Sequence, residues 1–272
     1  MNDFPLFDLA RIEALMFDLD GVLLEGKRAI PGAVEAVRTI ERCGLSTHFV
    51  TNTTAQPRDK LLELLNGLGL RVSPEQLFTP ASLARRIMSR KGAASYRLLG
   101  PPELEADLGP GRLSLDDKSV PEWVVMGLYT PFFKHDALCV ALKDLHAGSR
   151  LMALHANRLW KTERGLELGL GAYVAALEYA AGTEALVIGK PSVAFFEEVL
   201  RDIGKPKQRV AMVGDDIEGD VGGAQQAGIA GILVRTGRFN PHAFSRSEVE
   251  PALVVDDVRD LARRLAAGDG SA

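Results

Sequence analysis

The sequence predicts an α/β protein built on a parallel sheet, with a second α/β unit inserted into the first. Three observations carry that expectation. Short apolar runs alternate with segments of helical periodicity, the signature of strand–helix–strand units. Several of these runs stop abruptly in acids, hydroxyls or a lysine, so reactive side chains gather at strand ends. The alternation also changes character between about Thr79 and Glu184 before the first pattern resumes.

Taken in order, Ala14-Leu15-Met16-Phe17 reads as a buried strand ending in Asp18-Leu19-Asp20-Gly21. In an extended segment, side chains two apart share a face, so Asp18 and Asp20 are placed to look into one pocket. Pro31 opens a helix whose apolar residues Val34, Val37 and Ile40 recur at helical spacing, with Gly44 as its stop. Leu45 to Val50 reads as the second strand, ending at Thr51-Asn52, and Pro57 starts a helix carrying Leu61, Leu62, Leu64 and Leu65.

The inserted stretch reads as a helix from Ala81 to Ser89, strands at Tyr96–Leu99 and Trp123–Gly127, a helix from Asp136 to His146, a strand at Leu151–Leu154 and a helix from Tyr173 to Ala180. Gly169-Leu170-Gly171 reads as a turn, since no strand and third glycine make it a nucleotide loop. The first pattern returns with Ala185-Leu186-Val187-Ile188, then Gly189-Lys190-Pro191, a helix from Ser192 to Ile203, and the strand Arg209–Val213 ending in Gly214-Asp215-Asp216 and Asp220. Ile229 to Val234 supplies a further strand, and the tail from Leu253 a short strand and closing helix. The expected division is 1–79 with 185–272 as core and 80–184 as insertion.

Composition narrows the function classes. The 272 residues are 46% hydrophobic and 25% charged, as in a globular protein with ample core. A formal net charge of −4 argues against a general nucleic-acid or anionic-membrane binder. Cys43 and Cys139 have no zinc or disulfide spacing, and Met1 to Pro5 shows no basic segment leading into an apolar one. The expectation is a cytoplasmic protein with no nucleic acid and no membrane as partners. A homodimer is a candidate assembly.

Four strand ends thus carry Asp18/Asp20, Thr51/Asn52, Lys190 and Asp215/Asp216/Asp220. Each group has a plain alternative as a turn, a cap or a solvated lysine. Together they match one need: carboxylates are the hard oxygen ligands Mg²⁺ prefers, while a lysine and a hydroxyl suit a phosphate.

The runs Asp18-Leu19-Asp20-Gly21-Val22-Leu23, Thr51-Asn52, Gly189-Lys190-Pro191 and Gly214-Asp215-Asp216 resemble the four motifs of the haloacid dehalogenase (HAD) superfamily of phosphohydrolases. The insertion after the second motif resembles the C2-type cap of subclass IIA. Segments Ala153–Lys161, Gly165-Leu166 and Ala176–Ala180 extend the resemblance over most of the chain. The resemblance implies a Rossmann-like parallel-sheet core with an α/β cap. It also implies a Mg²⁺-dependent phosphatase that acts on small phosphorylated substrates, including phosphoramidates or pyrophosphate, through an aspartyl-phosphate. In that scheme Asp18 is the nucleophile and Asp20 the general acid/base. Thr51, Asn52 and Lys190 bind the phosphoryl group, and Asp18, Asp215 and the Asp20 carbonyl hold the metal. Asp216 and Asp220 support the metal or hold Lys190. A second acid at Asp20 favours phosphoryl chemistry over dehalogenation. His155, Arg158, Trp160 and Lys161 are candidate cap contacts to substrate, with packing of His155 and Trp160 as the alternative. Phosphotransfer to another metabolite, or phosphate sensing with little turnover, are the competing functions.

Overall fold

The computed structural model describes residues 7–90, 92, 94–128, 133–162 and 165–268. Met1 to Pro5, read above for a leader, lie outside the described residues. The strands, in chain order, are β1 (Ala14–Asp18), β2 (Leu24–Glu25), β3 (Arg28–Ala29), β4 (Ser46–Val50), β5 (Leu77–Phe78), β6 (Tyr96–Leu99), β7 (Arg112–Leu113) and β8 (Trp123–Met126). They continue with β9 (Arg150–Ala153), β10 (Leu159–Thr162), β11 (Gly165–Leu168), β12 (Leu186–Val187), β13 (Val210–Gly214), β14 (Ala230–Val234) and β15 (Leu253–Val255). The helices are α1 (Ala33–Arg42), α2 (Arg58–Gly67), α3 (Pro80–Ser89), α4 (Glu105–Leu108), α5 (His135–His146), α6 (Leu170–Ala181), α7 (Val193–Ile203), α8 (Gly223–Gln226), α9 (Pro241–Phe244) and α10 (Val258–Ala267).

Two compact units result, one of Met1–Thr51, Leu61–Phe78 and Lys190–Ala272, the other of Asn52–Lys60 and Thr79–Gly189. The first is built on a six-stranded sheet in the order β15-β14-β13-β1-β4-β5, every pairing parallel. All five residues of β1 are buried, which explains why its first four, Ala14 to Phe17, form an unbroken apolar run and not an alternating one. Phe17 stacks on Phe49 of β4 with ring centroids 6.3 Å apart. From β1 the chain proceeds outward through β4 and β5, and later returns to the opposite flank of β1 as β13. The order therefore reverses between β1 and β13, and the crevice beyond such a reversal is where open parallel sheets bind ligands.

The second unit holds a five-stranded sheet, order β12-β9-β8-β6-β7, again parallel throughout, and the antiparallel hairpin β10–β11. Here two sequence expectations need correction. Leu186–Val187 is no core strand: it pairs with Met152–Ala153 of β9 and completes the second sheet. Gly169-Leu170-Gly171 is no turn either, since Leu170 and Gly171 begin α6. A Cβ on Gly171 would collide with the Ala156 carbonyl oxygen, so the glycine serves close backbone approach.

Inside this sheet Arg97 is 1% exposed. Its Nε donates to Asp144 Oδ2 at 2.5 Å, Nη1 to the Ser114 carbonyl, and Nη2 to the carbonyls of Asp117 and Ser119 at 3.2 and 3.1 Å. One buried guanidinium thus organises the irregular stretch between β7 and β8 by giving its carbonyls a donor. No described helix is long and apolar enough to cross a membrane.

Candidate active site

The site begins where β1 ends. Asp18 is the last residue of that strand and is 6% exposed. It stands level with Val50 of β4, so Thr51, buried and one residue further on, lies at the adjacent strand end. On the other flank Phe17 pairs with Val213, which brings Gly214-Asp215 up beside Asp18. Pleating and register alone therefore collect three of the four motifs along one sheet edge.

Lys190 closes the cluster. Its Nζ donates to Asp18 Oδ1 at 2.7 Å and to Asp220 Oδ1 at 2.6 Å, all three residues being buried. Burial disfavours the ammonium, but Asp18 and Asp220 outweigh it, and the Lys190 pKa is raised. The preceding Gly189 has no room for a side chain: a Cβ would sit 2.5 Å from the Leu154 carbonyl oxygen and 2.8 Å from Asn52 Oδ1.

Asp220 reaches Lys190 from a π-helical turn, Ile217–Gly222, that follows β13. Such turns frequently mark functional sites. Asp216 caps the turn, its Oδ1 accepting from the amides of Glu218 and Gly219 at 3.1 and 2.9 Å. Asp220 Oδ2 accepts from the Asp216 amide at 3.2 Å, so each Asp220 oxygen has a donor. Gly214 is required because a Cβ there would collide with the Asp220 carboxylate. Asp216 thus shapes the turn, and Asp220 holds Lys190.

Carboxylate oxygens of Asp18, Asp215 and Asp220 lie within 4.8 Å of one another. Asp215 Oδ2 accepts from the Arg238 amide at 2.6 Å, whereas Asp215 Oδ1 is buried with no hydrogen-bond partner among the described residues. Three carboxylates against one ammonium leave two negative charges, the charge of a divalent cation. Burial, reinforced by the neighbouring acids, pushes Asp215 and Asp220 up to about 6 and also raises Asp18. An orphaned oxygen and an uncompensated pair of charges fit a hard cation with oxygen ligands. The Asp20 side chain is outside this trio. It is exposed by area, yet loses enough water for burial to raise its pKa against the pull of Arg238 and Lys190.

Arg238 and its loop were missed in the sequence. Thr236 Oγ1 donates to the Gly21 carbonyl, and a Cβ on Gly237 would collide with Asp215 Oδ2 and the Gly21 Cα. The available signal was Arg235-Thr236-Gly237 immediately after the run Ile229 to Val234, another polar strand end. Of the cap candidates, all in the second unit, His155 is buried and pushed down to about 4 by burial, while Arg158 is exposed. For Trp160 and Lys161 the backbone lies in β10, and the side chains lie outside the described residues.

Comparison with known proteins identifies the family. A family model described as haloacid dehalogenase-like hydrolase matches residues 15–109, and one described as HAD-hydrolase-like matches residues 187–261. The human haloacid dehalogenase-like hydrolase domain-containing protein 2 is 39% identical over 240 residues, covering 88% of this chain and 90% of that protein. Human phospholysine phosphohistidine inorganic pyrophosphate phosphatase is 35% identical over 258 residues, 93% of each chain. Among solved structures, a 4-nitrophenylphosphatase from Thermotoga maritima superposes with a TM-score of 0.84 at 27% identity, covering 94% of this chain and 98% of that one. A glycerol phosphate phosphatase from Mycobacterium tuberculosis in complex with magnesium gives 0.81 at 27% identity, covering 94% and 79%. The chain belongs to the haloacid dehalogenase-like hydrolases, and it is a phosphohydrolase of that family.

Proposed function

We propose that this chain removes phosphoryl groups from small molecules, with Asp18 as nucleophile, Asp20 as general acid/base and Mg²⁺ as the cation. The observation that carries the reading is the buried Asp18–Lys190–Asp220–Asp215 cluster at the sheet's point of reversal, which carries two negative charges in excess of neutrality. Asp18 and Asp215, with the Asp20 carbonyl that the resemblance implies, would hold the cation. Bound there, Mg²⁺ supplies Lewis-acid stabilisation of phosphoryl oxygens.

The chain's own groups account for the rest. A carboxylate and a phosphate charge 4 Å apart repel by about 4 kcal/mol at an effective dielectric near 20. Lys190 offsets that repulsion from a fixed position and holds Asp18 Oδ1, which leaves Oδ2 for attack. A bond forms between Asp18 Oδ2 and phosphorus as the bond from phosphorus to the leaving oxygen or nitrogen breaks, and Asp20 delivers its proton to that atom. Asp20, now a base, takes a proton from the water that attacks phosphorus. The acyl phosphate bond then breaks, releasing phosphate and restoring Asp18. Thr51 and Asn52 are assigned to the phosphoryl oxygens, and the second unit to substrate selection, a role that the subclass resemblance supports. The names of the relatives support phosphate esters, P–N compounds and pyrophosphate as the classes to try.

The test is phosphate release from a panel of such compounds with Mg²⁺, by the parent and by Asp18→Asn. The variant, nearly the same shape but unable to form the acyl phosphate, should lose at least about 10³-fold in rate. Acid-quenched parent enzyme should retain labelled phosphate that the variant lacks. Comparable phosphate release by the two proteins would remove Asp18 from the chemistry.

A further inference from the structure

Beside the catalytic cluster lies a cavity of about 460 Å³, formed entirely by the first unit. Asp20, Gly21 and Asp215 border its chemical end. Leu24, Ile30 and Pro31 of the β2–β3 hairpin and its exit provide an apolar wall, and Thr236-Gly237-Arg238 face them from the loop after β14. A cavity of this size lies in the range that holds a small organic ligand, so it has room for a leaving group as well as a phosphoryl group. Its position beside Asp20, the proposed proton donor to that leaving group, makes this the natural place for it.

Among the described residues lining the cavity, Arg238 brings the sole positive charge. Its root is fixed three ways: the Arg238 amide donates to Asp215 Oδ2 at 2.6 Å, Thr236 Oγ1 donates to the Gly21 carbonyl, and Gly237 packs against Gly21 too closely for any side chain. Its tip is not spent in the same way. The side chain is 63% exposed, and its ion pair is to Asp216 at 3.7 Å, too long for a good charge-assisted hydrogen bond. Lys190 cannot serve the leaving group, being buried and engaged by Asp18 and Asp220. Asp215 is given to the metal and Asp20 to proton transfer, which leaves Glu25, exposed on the hairpin wall, to repel an anion toward the Arg238 side.

We infer that Arg238 reads a second negative charge on the substrate, so that good substrates carry a carboxylate or a second phosphate on the leaving group. The inference rests on the phosphatase reading and specifies its substrate class. A guanidinium matches both anions by paired N–H donors, which is why one residue serves either source.

The experiment compares matched substrates that differ in the second anion: pyrophosphate against methyl phosphate, and 3-phosphoglycerate against glycerol 1-phosphate. Parent, Arg238→Gln, Arg238→Met and Arg238→Lys are measured with Mg²⁺, each first shown to fold by circular dichroism. The expected result is a fall of about 10- to 100-fold in the anionic-to-neutral ratio of kcat/KM for Arg238→Gln and Arg238→Met. The fall should be expressed mainly in KM, and Arg238→Lys should recover part of it. A response in one pair alone identifies the anion as phosphate or carboxylate. If the ratio moves by less than about twofold in both pairs, or both members of each pair lose equally, Arg238 does not read the leaving group. If the parent releases phosphate from none of the four, the phosphatase reading fails first and the inference with it.

Discussion

Lys190 in the first unit and Arg97 in the second are both buried cations that meet carboxylates, yet their surroundings differ in how completely the polar atoms are matched. Around Arg97, one carboxylate and three backbone carbonyls converge on a single guanidinium, and the result is a clamp on the chain from Ser114 to Ser119. Around Lys190, two carboxylates bind a single ammonium and a third, Asp215, stands beside them with one oxygen that has no hydrogen-bond partner among the described residues, and two negative charges remain. The clamp stabilises by leaving nothing unmet. The site is the reverse: its mismatch is what a metal and a phosphate would complete, so part of its stability is deferred until they bind.

That difference can be broken from either side. Lys190→Met should have the largest effect, a loss of at least about 10³-fold in phosphate release, because the fixed ammonium that offsets the repulsion between Asp18 and the incoming phosphate is then gone. Arg97→Met should act on stability instead. Stranding Asp144 and three carbonyls should cost about 3–5 kcal/mol in denaturant unfolding, while activity per folded molecule stays within about threefold. A silent Arg97→Met would show that the clamp is not what orders its loop.

Asp215→Asn tests the mismatch directly. In chelated protein the substitution removes a buried charge whose pKa is raised from 3.8 to about 6, so it should stabilise at pH 7 by up to about 3 kcal/mol. It should also abolish most of the gain in Tm that Mg²⁺ gives the parent. Equal Mg²⁺ stabilisation of parent and variant would place the cation elsewhere.

The smallest effect sharpens the contrast through pH. For Asp215 and Asp220 the folded pKa, about 6, lies above the unfolded one, so the chelated native state holds more protons and their contribution declines as pH rises from about 4 to 6. His155 has the opposite sign. Burial lowers its folded pKa to about 4 from 6.5, so its stability is present above pH 6.5 and lost as pH falls toward 4. The stability advantage of the parent over His155→Gln should therefore shrink by about 2 kcal/mol between pH 7 and pH 5. An advantage independent of pH would mean that His155 is not buried as a neutral ring.

Much of this was legible in the residues. A fully buried parallel strand has to be an apolar run, and a run that stops in two acids marks its own functional end, so β1 with Asp18 and Asp20 is readable locally. The same holds for β13 with Asp215, while β4, Ser-Thr-His-Phe-Val and only partly buried, was legible through Phe49-Val50 and the polar stop at Thr51-Asn52. Lys190 was legible through Gly189-Lys190-Pro191, a short motif whose glycine proves to be a packing requirement.

What the tertiary structure alone decided is which distant pieces meet. Leu186–Val187 is a two-residue apolar strand that would suit either sheet, and its choice of β9 depends on a partner more than thirty residues away. Gly169 and Gly171 look like turn residues because glycine reports freedom, whereas here they report the crowding of the Ala156 and Asn157 carbonyls. Asp216 and Asp220, both acids of one short segment, receive different tasks only because a π-helical turn points one at its own amides and the other at Lys190. Arg238 carried no motif at all. Its amide reaches Asp215 because two glycines without side chains, Gly21 and Gly237, let separate loops touch, and periodicity along one chain holds no record of an approach made through space.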